Sequence, residues 1–593
     1  MPNPTGPNLA NRRELHCPGR AGMWMIPGVA VLAIAAAIGG WWLSGDKGSA
    51  RSNVVATPID GPAWFEDTLA DSNVDFRHSS APSVGYRFPE IISGGVCLFD
   101  YDMDGDLDLY FVQGGDVDSD RTDGPGNRLY SNRGNAVFDD VTDTAGVGDT
   151  AYGIGCTCGD YDADGDVDLY VTNLGPNVLY RNNGDGTFTD VTGEAGVGDA
   201  GWSSSSAFLD YDSDGDLDLY VVNYINWALD REIECFTGAG IRDYCSPNNY
   251  NAPAPDSLYR NDGAGVFTDV SNSSGIRATF GNGLGVAWGD YNSDGRVDIY
   301  VANDGMPNQL WINQGDGRFS DDALISGCAV NVHGLAEAGM GVMTTDIDND
   351  GDLDLFMSHL REESNTFYVN RGGMFDDATA RLGLASPSVG FTGFGLGLAD
   401  FDHDGRLDIS VANGAVKLEA KSLAAGRDPY VERNQLFARG NGDRFEEVVP
   451  LGGTSEPLLA TSRGAAIGDL DNDGDLDIVV ANKDSRPHIL RNLAGSRGGW
   501  IMFRVLDRRG VDALGAAVQI VYGGEKQWRF VQRAYGYCSA HDPRVHFGLA
   551  EVTGIDSALV RWPNGGQETF GPFEAGGLYV IREGTGRNPG YQD

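Results

Sequence analysis

The sequence predicts an all-β fold in which one four-stranded unit is repeated seven times. Three observations predict it. An acidic stretch of the form "DYDSDGDLDLY" occurs in seven copies. Between the copies run short apolar segments rich in Val, Ile, Tyr and Phe and bounded by Gly, Asn and Asp, the pattern of strands joined by tight turns. Glycine contributes 85 of 593 residues, while 41% are hydrophobic and 10% aromatic. That balance suits a turn-rich β protein with a large core and excludes a disordered acidic tail.

The copies begin at Asp100, Asp160, Asp210, Asp290, Asp346, Asp400 and Asp469, with intervals of 50 to 80 residues. Upstream of each lies a Gly-rich apolar run such as "GLGVAWGD"; downstream of the fourth follow "VDIYVAN", "NQLWIN", the turn "QGDG" and "RFSDDA". Each unit therefore reads as a four-stranded antiparallel blade with hairpin chemistry at its Gly-Asp-Gly turn. Blades repeated radially make a propeller, here one of seven blades over residues 61–495. The seventh copy stops at "HILRN" without a fourth strand, and a matching piece, "WFEDTLADSNVDF" at 64–76, stands ahead of the first copy. A spare strand at the opposite end closes a ring, whereas a linear solenoid has no use for it.

Numbered from its first Asp, each acidic loop carries oxygen side chains at positions 1, 3, 5 and 9 and Gly at 6. The candidate metal ligands are Asp100, Asp102, Asp104 and Asp108 in loop one, and Asp160, Asp162, Asp164 and Asp168 in loop two. They continue as Asp210, Asp212, Asp214 and Asp218, then Asp290, Asn292, Asp294 and Asp298. Loops five to seven supply Asp346, Asp348, Asp350 and Asp354; Asp400, Asp402, Asp404 and Asp408; and Asp469, Asp471, Asp473 and Asp477. Alternate oxygens on a tight loop can converge on calcium, which takes six to eight of them. An EF-hand is excluded, because position 12 is Phe, Val or Met rather than a bidentate Glu. Asp-Gly turns alone explain positions 5 and 6, but not 32 acidic groups over positions 1 to 9 of seven loops, whose repulsion calls for cations. Six or seven calcium ions are expected, loop four being the weakest because of Asn292 and Arg296.

The formal charge of −44 argues against nucleic acid, whose binding depends on Lys and Arg neutralising phosphates. Residues 1–20 read as a cytoplasmic tail and 21–45 as a transmembrane signal anchor. The 25 uncharged residues between Arg20 and Asp46 exceed the roughly 20 that span a bilayer, and Trp41 and Trp42 stand where an interfacial belt would. The open alternative is secretion after signal cleavage at Ala35-Ala36-Ala37 or Gly48-Ser49-Ala50. Residues 46–60 form a linker, and the main domains lie outside the cytoplasm. Of eight cysteines, Cys235 and Cys245 are the expected disulfide, closing a short loop worth about 3 kcal/mol. Cys156 and Cys158, two apart on a strand, point the same way and cannot easily bond each other; Cys97, Cys328 and Cys538 are expected as small buried hydrophobes.

On these loops and strands the chain resembles FG-GAP/VCBS-repeat β-propellers, similar in their blades to integrin α-subunit heads. Residues 496–585 resemble the ASPIC/UnbV domain through "DALGAAVQI" (512–520), "DPRVHFGL" (542–549) and "VRWPNG" (560–565), followed by a tail at 586–593. The combination resembles the cartilage-acidic-protein family and its bacterial relatives. That resemblance implies extracellular calcium-binding propellers and no particular reaction. Cys538 in "YGYCSAHDP" departs from the apolar residue the pattern implies.

Hairpin logic puts all seven acidic loops on one face and two long insertions on the other. They are 224–256, with the cysteine pair, and 414–433, with Lys417, Lys421, Arg427 and Arg433. Long loops on a rigid scaffold commonly carry binding, which makes Trp227, Tyr244, Tyr250 and Tyr430 candidate ligand contacts; packing of the insertions onto the propeller is the equal alternative. No catalytic signature stands out among the eight histidines, and no phosphate loop or zinc motif is present. The expected role is binding or adhesion towards an extracellular protein or glycan, with membrane contact through the N-terminal helix only. A polysaccharide-active hydrolase or lyase is the alternative, which a deep central pocket away from the loops would favour.

Overall fold

A computed structural model describes residues 59–588 apart from positions 84, 119–123, 264, 419–422, 424, 425, 427 and 441. The predicted tail, anchor and most of the linker lie outside the described residues, as do Lys421 and Arg427. Among the described residues no helix is long and apolar enough to cross a membrane.

Seven four-stranded antiparallel sheets follow one another along the chain. Their innermost strands are Val96–Phe99, Gly153–Gly159, Ser203–Leu209, Gly283–Gly289, Val342–Thr345, Gly393–Ala399 and Ser462–Gly468. Each of these touches the next, and the last touches the first. The second strand always begins at the position-9 Asp, as in Asp218–Asn223. The seventh sheet has only three strands of its own. Its fourth is Phe65–Asp67, with Phe65 opposite Asn492 and Asp67 opposite Leu490, so the piece at 64–76 supplies the missing strand. The preceding residues Ile59–Asp60 add a parallel strand to the sixth sheet.

A repeated side chain ties the sheets into a circuit. Six sheets end their third strand in Asn, whose amide group reaches back to the position-2 carbonyl of the preceding acidic loop. Asn182 donates to Tyr101, Asn261 to Tyr161, Asn313 to Tyr211, Asn370 to Tyr291 and Asn492 to Phe401, all at 2.7–2.9 Å. Asn132 of the first sheet donates to Leu470 of the seventh loop at 2.8 Å. In the sixth sheet Arg439 takes this place and donates to Ile347 at 2.6 Å. Each of these six Asn amides donates as well to the position-8 carbonyl of its own loop, so that one side chain satisfies two buried carbonyls, which is why the residue recurs.

Besides a two-stranded pair, Gly554–Ile555 with Phe573–Glu574, the C-terminal region builds two small sheets. One places Gly499–Leu506 between Val545–Ala550 and Gly577–Arg582; the other orders Glu525–Phe530, Ala517–Tyr522, Ser557–Arg561 and Gln567–Phe570. Its core is continuous with that of sheets three and four: Ile501, Phe503 and Trp562 share a cluster with Trp288 and Trp311.

Residues 532–542 leave this domain and thread the axis of the ring. Ala540 exchanges backbone hydrogen bonds with Val96 and Leu98, Cys538 accepts from Cys156, and Gly536 exchanges bonds with Val342. The Cys538 amide donates to Ser205 Oγ at 3.0 Å and Gln532 Nε2 to the Trp288 carbonyl at 2.8 Å. Tyr537 packs edge-on against Phe394, and the Ile467 amide donates to His541 Nδ1 at 3.1 Å. Every innermost strand is thus engaged. Glycines in or just before those strands leave the room: a Cβ at Gly95 would enter the Cys538 carbonyl, and one at Gly155 or Gly464 would meet Cys538 or Ser539. Cys538 is buried, as expected, at φ +51°.

The cysteines bring one correction. Cys235 and Cys245 are bonded, and so are Cys97 and Cys156, on adjacent innermost strands with Cα atoms 6.2 Å apart. Cys97 is therefore not a lone buried hydrophobe; the register between two sheets, which no local pattern encodes, sets it opposite Cys156. Cys158, Cys328 and Cys538 are free and buried.

Candidate functional site: the acidic loops and the two faces

Each acidic loop is framed by its own carboxylates. The position-1 Asp accepts the amide of the position-6 Gly, as Asp100 does from Gly105 at 3.1 Å and Asp400 from Gly405 at 2.8 Å. That Gly takes a left-handed φ, +93° at Gly215, which L side chains rarely adopt. The position-9 Asp, fully buried, brackets loop and sheet. Asp218 accepts from the amides of Tyr211 and Asn261 at 3.1 and 2.9 Å, and Asp477 from those of Leu470 and Asn492 at 3.1 and 2.8 Å.

The fold brings positions 1, 3 and 9 together. Asp100, Asp102 and Asp108 offer carboxylate oxygens within 4.8 Å of one another, as do Asp160, Asp162 and Asp168; Asp210, Asp212 and Asp218; and Asp346, Asp348 and Asp354. In loop six the grouping is Asp400, Asp402 and Asp404. Loop four differs in charge: the Asp294 carboxylate is met by the Arg296 guanidinium and by Asn292 Nδ2. Arg406 pairs with Asp404 in loop six, and Arg491 with Asp471 in loop seven.

These groups fit a divalent cation. One carboxylate oxygen each of Asp100, Asp162, Asp210 and Asp402 is buried without a hydrogen-bond partner. Burial pushes the Asp108 and Asp218 carboxyls up to about 9, Asp354 to about 8 and Asp160 to about 7, with neighbouring carboxylates adding to the rise. Hard oxygen donors crowded in a partly dry loop are what calcium stabilises in ionised form.

On the opposite face the aromatics follow the packing alternative. Tyr244 and Tyr430 pack with their rings tilted and centroids 5.6 Å apart and tie insertion 224–256 to 414–433, Tyr430 Oη donating to Asp243 at 2.8 Å. Tyr244 Oη donates to Glu90, and Tyr250 Oη and Trp227 Nε1 both donate to Glu232. All four side chains pack into one cluster with Phe88, Trp202 and Tyr537, so they anchor the insertions. Arg433 pairs with Glu447 and lies over Phe391; Lys417 is exposed. What remains open there is a groove of about 410 Å³ lined by Gly201, Trp202, Asn226, Trp227 and Arg231.

Two features escaped sequence reasoning. The Asn circuit has its signal in the Asn that stands ahead of six of the seven turns, Asn132, Asn182, Asn261, Asn313, Asn370 and Asn492, and the axial segment left its trace only in the glycines of the innermost strands.

Comparison with known proteins agrees with this architecture. An FG-GAP-like repeat model matches residues 160–221, 236–301, 290–357 and 346–411, and an ASPIC and UnbV model matches 507–588. Cartilage acidic protein 1 of Xenopus tropicalis is 29% identical over 311 residues, covering 51% of this chain and 44% of the relative. The human protein is 27% identical over 340 residues, covering 54% and 48%. The chain thus spans about half the length of the curated relatives it matches. Among solved structures, a Burkholderia pseudomallei lectin is 10% identical with a TM-score of 0.41, covering 68% of this chain and 97% of its own. A Bacillus licheniformis rhamnogalacturonan lyase is 14% identical with a TM-score of 0.37, covering 68% and 72%. Similarity of that order says nothing about this chain's ligand. By its repeats, its C-terminal domain and its relatives, the chain belongs to the proteins that join FG-GAP-like repeats to an ASPIC and UnbV domain, as a homologue of cartilage acidic protein 1.

Proposed function

We propose that the protein is an exported, membrane-anchored, seven-bladed calcium-binding propeller that acts as a binding or adhesion module for a protein or glycan. The observation that carries the metal reading is the cluster of three carboxylates in five named loops, with buried oxygens left without a donor. Calcium would there tie the first strand of a blade to the second and do no chemistry. Two disulfides favour an oxidising compartment, in keeping with export. The open groove beside Trp227, with Asn226 and Arg231 on its wall, offers a shallow, aromatic-lined surface for a ligand. A polysaccharide hydrolase or lyase working in the ring's channel finds less support. The axial segment occupies that channel and leaves a cavity of about 90 Å³, small for a sugar chain.

A calcium titration by calorimetry, with thermal melts in calcium and in EDTA, tests the metal reading. About six or seven ions with a melt that rises in calcium support it. No binding and an unchanged melt would remove it. For the binding surface, Trp227→Ala and Arg231→Ala should abolish capture of glycans on an array; undiminished capture by both variants places the ligand elsewhere.

A further inference from the structure

We infer that His403, His546 and Asp475 form a binding site for a borderline transition-metal ion, such as Zn²⁺, that clamps the C-terminal domain to acidic loops six and seven. His403 stands at position 4 of loop six, where the other loops carry Met, Ala, Ser or Asn. His546 comes from the strand Val545–Ala550 of the C-terminal domain, and Asp475 stands at position 7 of loop seven. The two imidazoles are 0% and 6% exposed and their ring centroids lie 4.8 Å apart. All four ring nitrogens are buried without a hydrogen-bond partner. Carbonyls of Gly474, Gly495 and Gly498 lie around the rings but do not reach hydrogen-bonding geometry. Leaving so many buried polar atoms unpaired is costly, so something occupies the gap.

The spacing says what. His403 Nε2 is 3.6 Å from Asp475 Oδ1, too far for a hydrogen bond. A metal held roughly 2.0–2.1 Å from a nitrogen and from an oxygen at tetrahedral to trigonal angles sets those atoms about 3.3–3.6 Å apart. Two imidazoles on one such ion bring their centroids to about 5 Å on the same geometry. Imidazole selects zinc, copper or nickel rather than calcium, which makes the site distinct from the all-oxygen loops around it. Arg529 and Arg544 act on His546 from the C-terminal side; the carboxylate of Asp475 and that of Asp473, which acts on His403, offset them. Trp500 stacks near His546 and closes one wall: at Gly474 any Cβ would enter its indole. With three protein ligands, a water completes the set.

The test uses the full-length chain in mild detergent, stripped with EDTA and then saturated with calcium so that the acidic loops are filled. Titration with Zn²⁺ by calorimetry should show one further equivalent, and Co²⁺ should give the visible absorption of a low-symmetry site. His403→Gln and His546→Gln should each weaken Zn²⁺ binding by about a hundredfold while the calcium stoichiometry is unchanged. Asp475→Asn, at a partly exposed side chain, does the same work should a histidine variant fail to fold. Absence of a further equivalent in calcium, or an equivalent undiminished in the folded variants, overturns the proposal and leaves the ring nitrogens to buried water.

Discussion

Loop three and loop four carry the same frame on different charge. Asp218 accepts the amides of Tyr211 and Asn261 at 3.1 and 2.9 Å; Asp298 accepts those of Tyr291 and Asn313 at 3.1 and 2.8 Å. At position 7, however, loop three has Asp216, which turns outward to Arg509 of the C-terminal domain at 3.3 Å. Loop four has Arg296, which turns back onto its own Asp294. The same freedom recurs elsewhere: Asp106 of loop one accepts from Asn472, and Asp352 of loop five accepts from Ser293. Positions 1, 6 and 9 therefore build the turn in every copy, whereas position 7 varies with whatever lies beside it. Similar loops thus hold different local partnerships without disturbing the frame, although loops four and six share one, an Arg turned back onto the position-5 Asp.

The largest test of that division is Asp218→Ala. It leaves two buried amides without an acceptor, at about 1–3 kcal/mol each, so a loss of about 2–6 kcal/mol in urea unfolding is expected, with one calcium equivalent lost. Asp216→Ala removes only a half-exposed ion pair and should cost about 1 kcal/mol or less. Equal costs for the two would break the distinction between frame and docking positions. Next comes Asn313→Ala, which orphans the Tyr211 and Val297 carbonyls and should cost about 1–3 kcal/mol in the same assay. Arg439→Ala, at the one step of the circuit without Asn, should cost a similar amount if that arginine is an equivalent link.

How much of this could be read from the chain depends on the range of the interactions. The loops were legible because their chemistry is local: Asp at 1 and 9 and Gly at 6 close each turn, and Asp at 3 joins positions 1 and 9 in loops one, two, three and five, whereas in loop six the trio is positions 1, 3 and 5. The spare strand at 64–76 was legible because its absence from the seventh copy is itself a pattern. The Cys97–Cys156 bond was not, since it rests on the register of two sheets separated by 59 residues. Trp227, Tyr244, Tyr250 and Tyr430 were visible as an aromatic set, but whether such a set faces a ligand or a partner loop is settled only by where Glu90, Glu232 and Asp243 lie. The axial segment was the hardest case. "YGYCSAHDP" has no unusual composition, and it occupies the channel only because Gly95, Gly155 and Gly464, from the first, second and seventh repeats, make space for it.

Converting loop four to the pattern of loop three sharpens the comparison further. Arg296→Asp frees the Asp294 carboxylate and replaces a positive charge with a negative one. The total calcium bound should rise, or the weakest site should tighten by about tenfold, about 1.4 kcal/mol, as read by calorimetry. The reciprocal Asp216→Arg should weaken loop three and also loosen the hold of Arg509. An unchanged isotherm for Arg296→Asp would mean that Asn292, rather than the charge at position 7, sets the affinity of loop four.

The smallest effect near neutral pH concerns the axial segment, which holds a buried histidine that burial keeps neutral. His541 accepts from the Ile467 amide through Nδ1 and lies 3.2 Å from the Tyr535 carbonyl through Nε2, so one tautomer satisfies both nitrogens. Burial holds its pKa down at about 3, against an ordinary value of 6.5. Between those values the unfolded chain binds the proton and the folded chain does not, so His541 makes stability rise with pH from about 3 to 6.5 and fall on acidification. From pH 7 to pH 6 the loss from this residue is about 0.7 kcal/mol, growing towards about 1.4 kcal/mol per unit below that. Other groups titrate in the same range, and the difference between the wild type and His541→Gln isolates this one. Gln can keep a donor and an acceptor in place, so the variant should fold and show a shallower decline in urea midpoint between pH 7 and 5. Identical declines would mean that the segment leaves the channel, or that water reaches His541, before the rest of the ring unfolds.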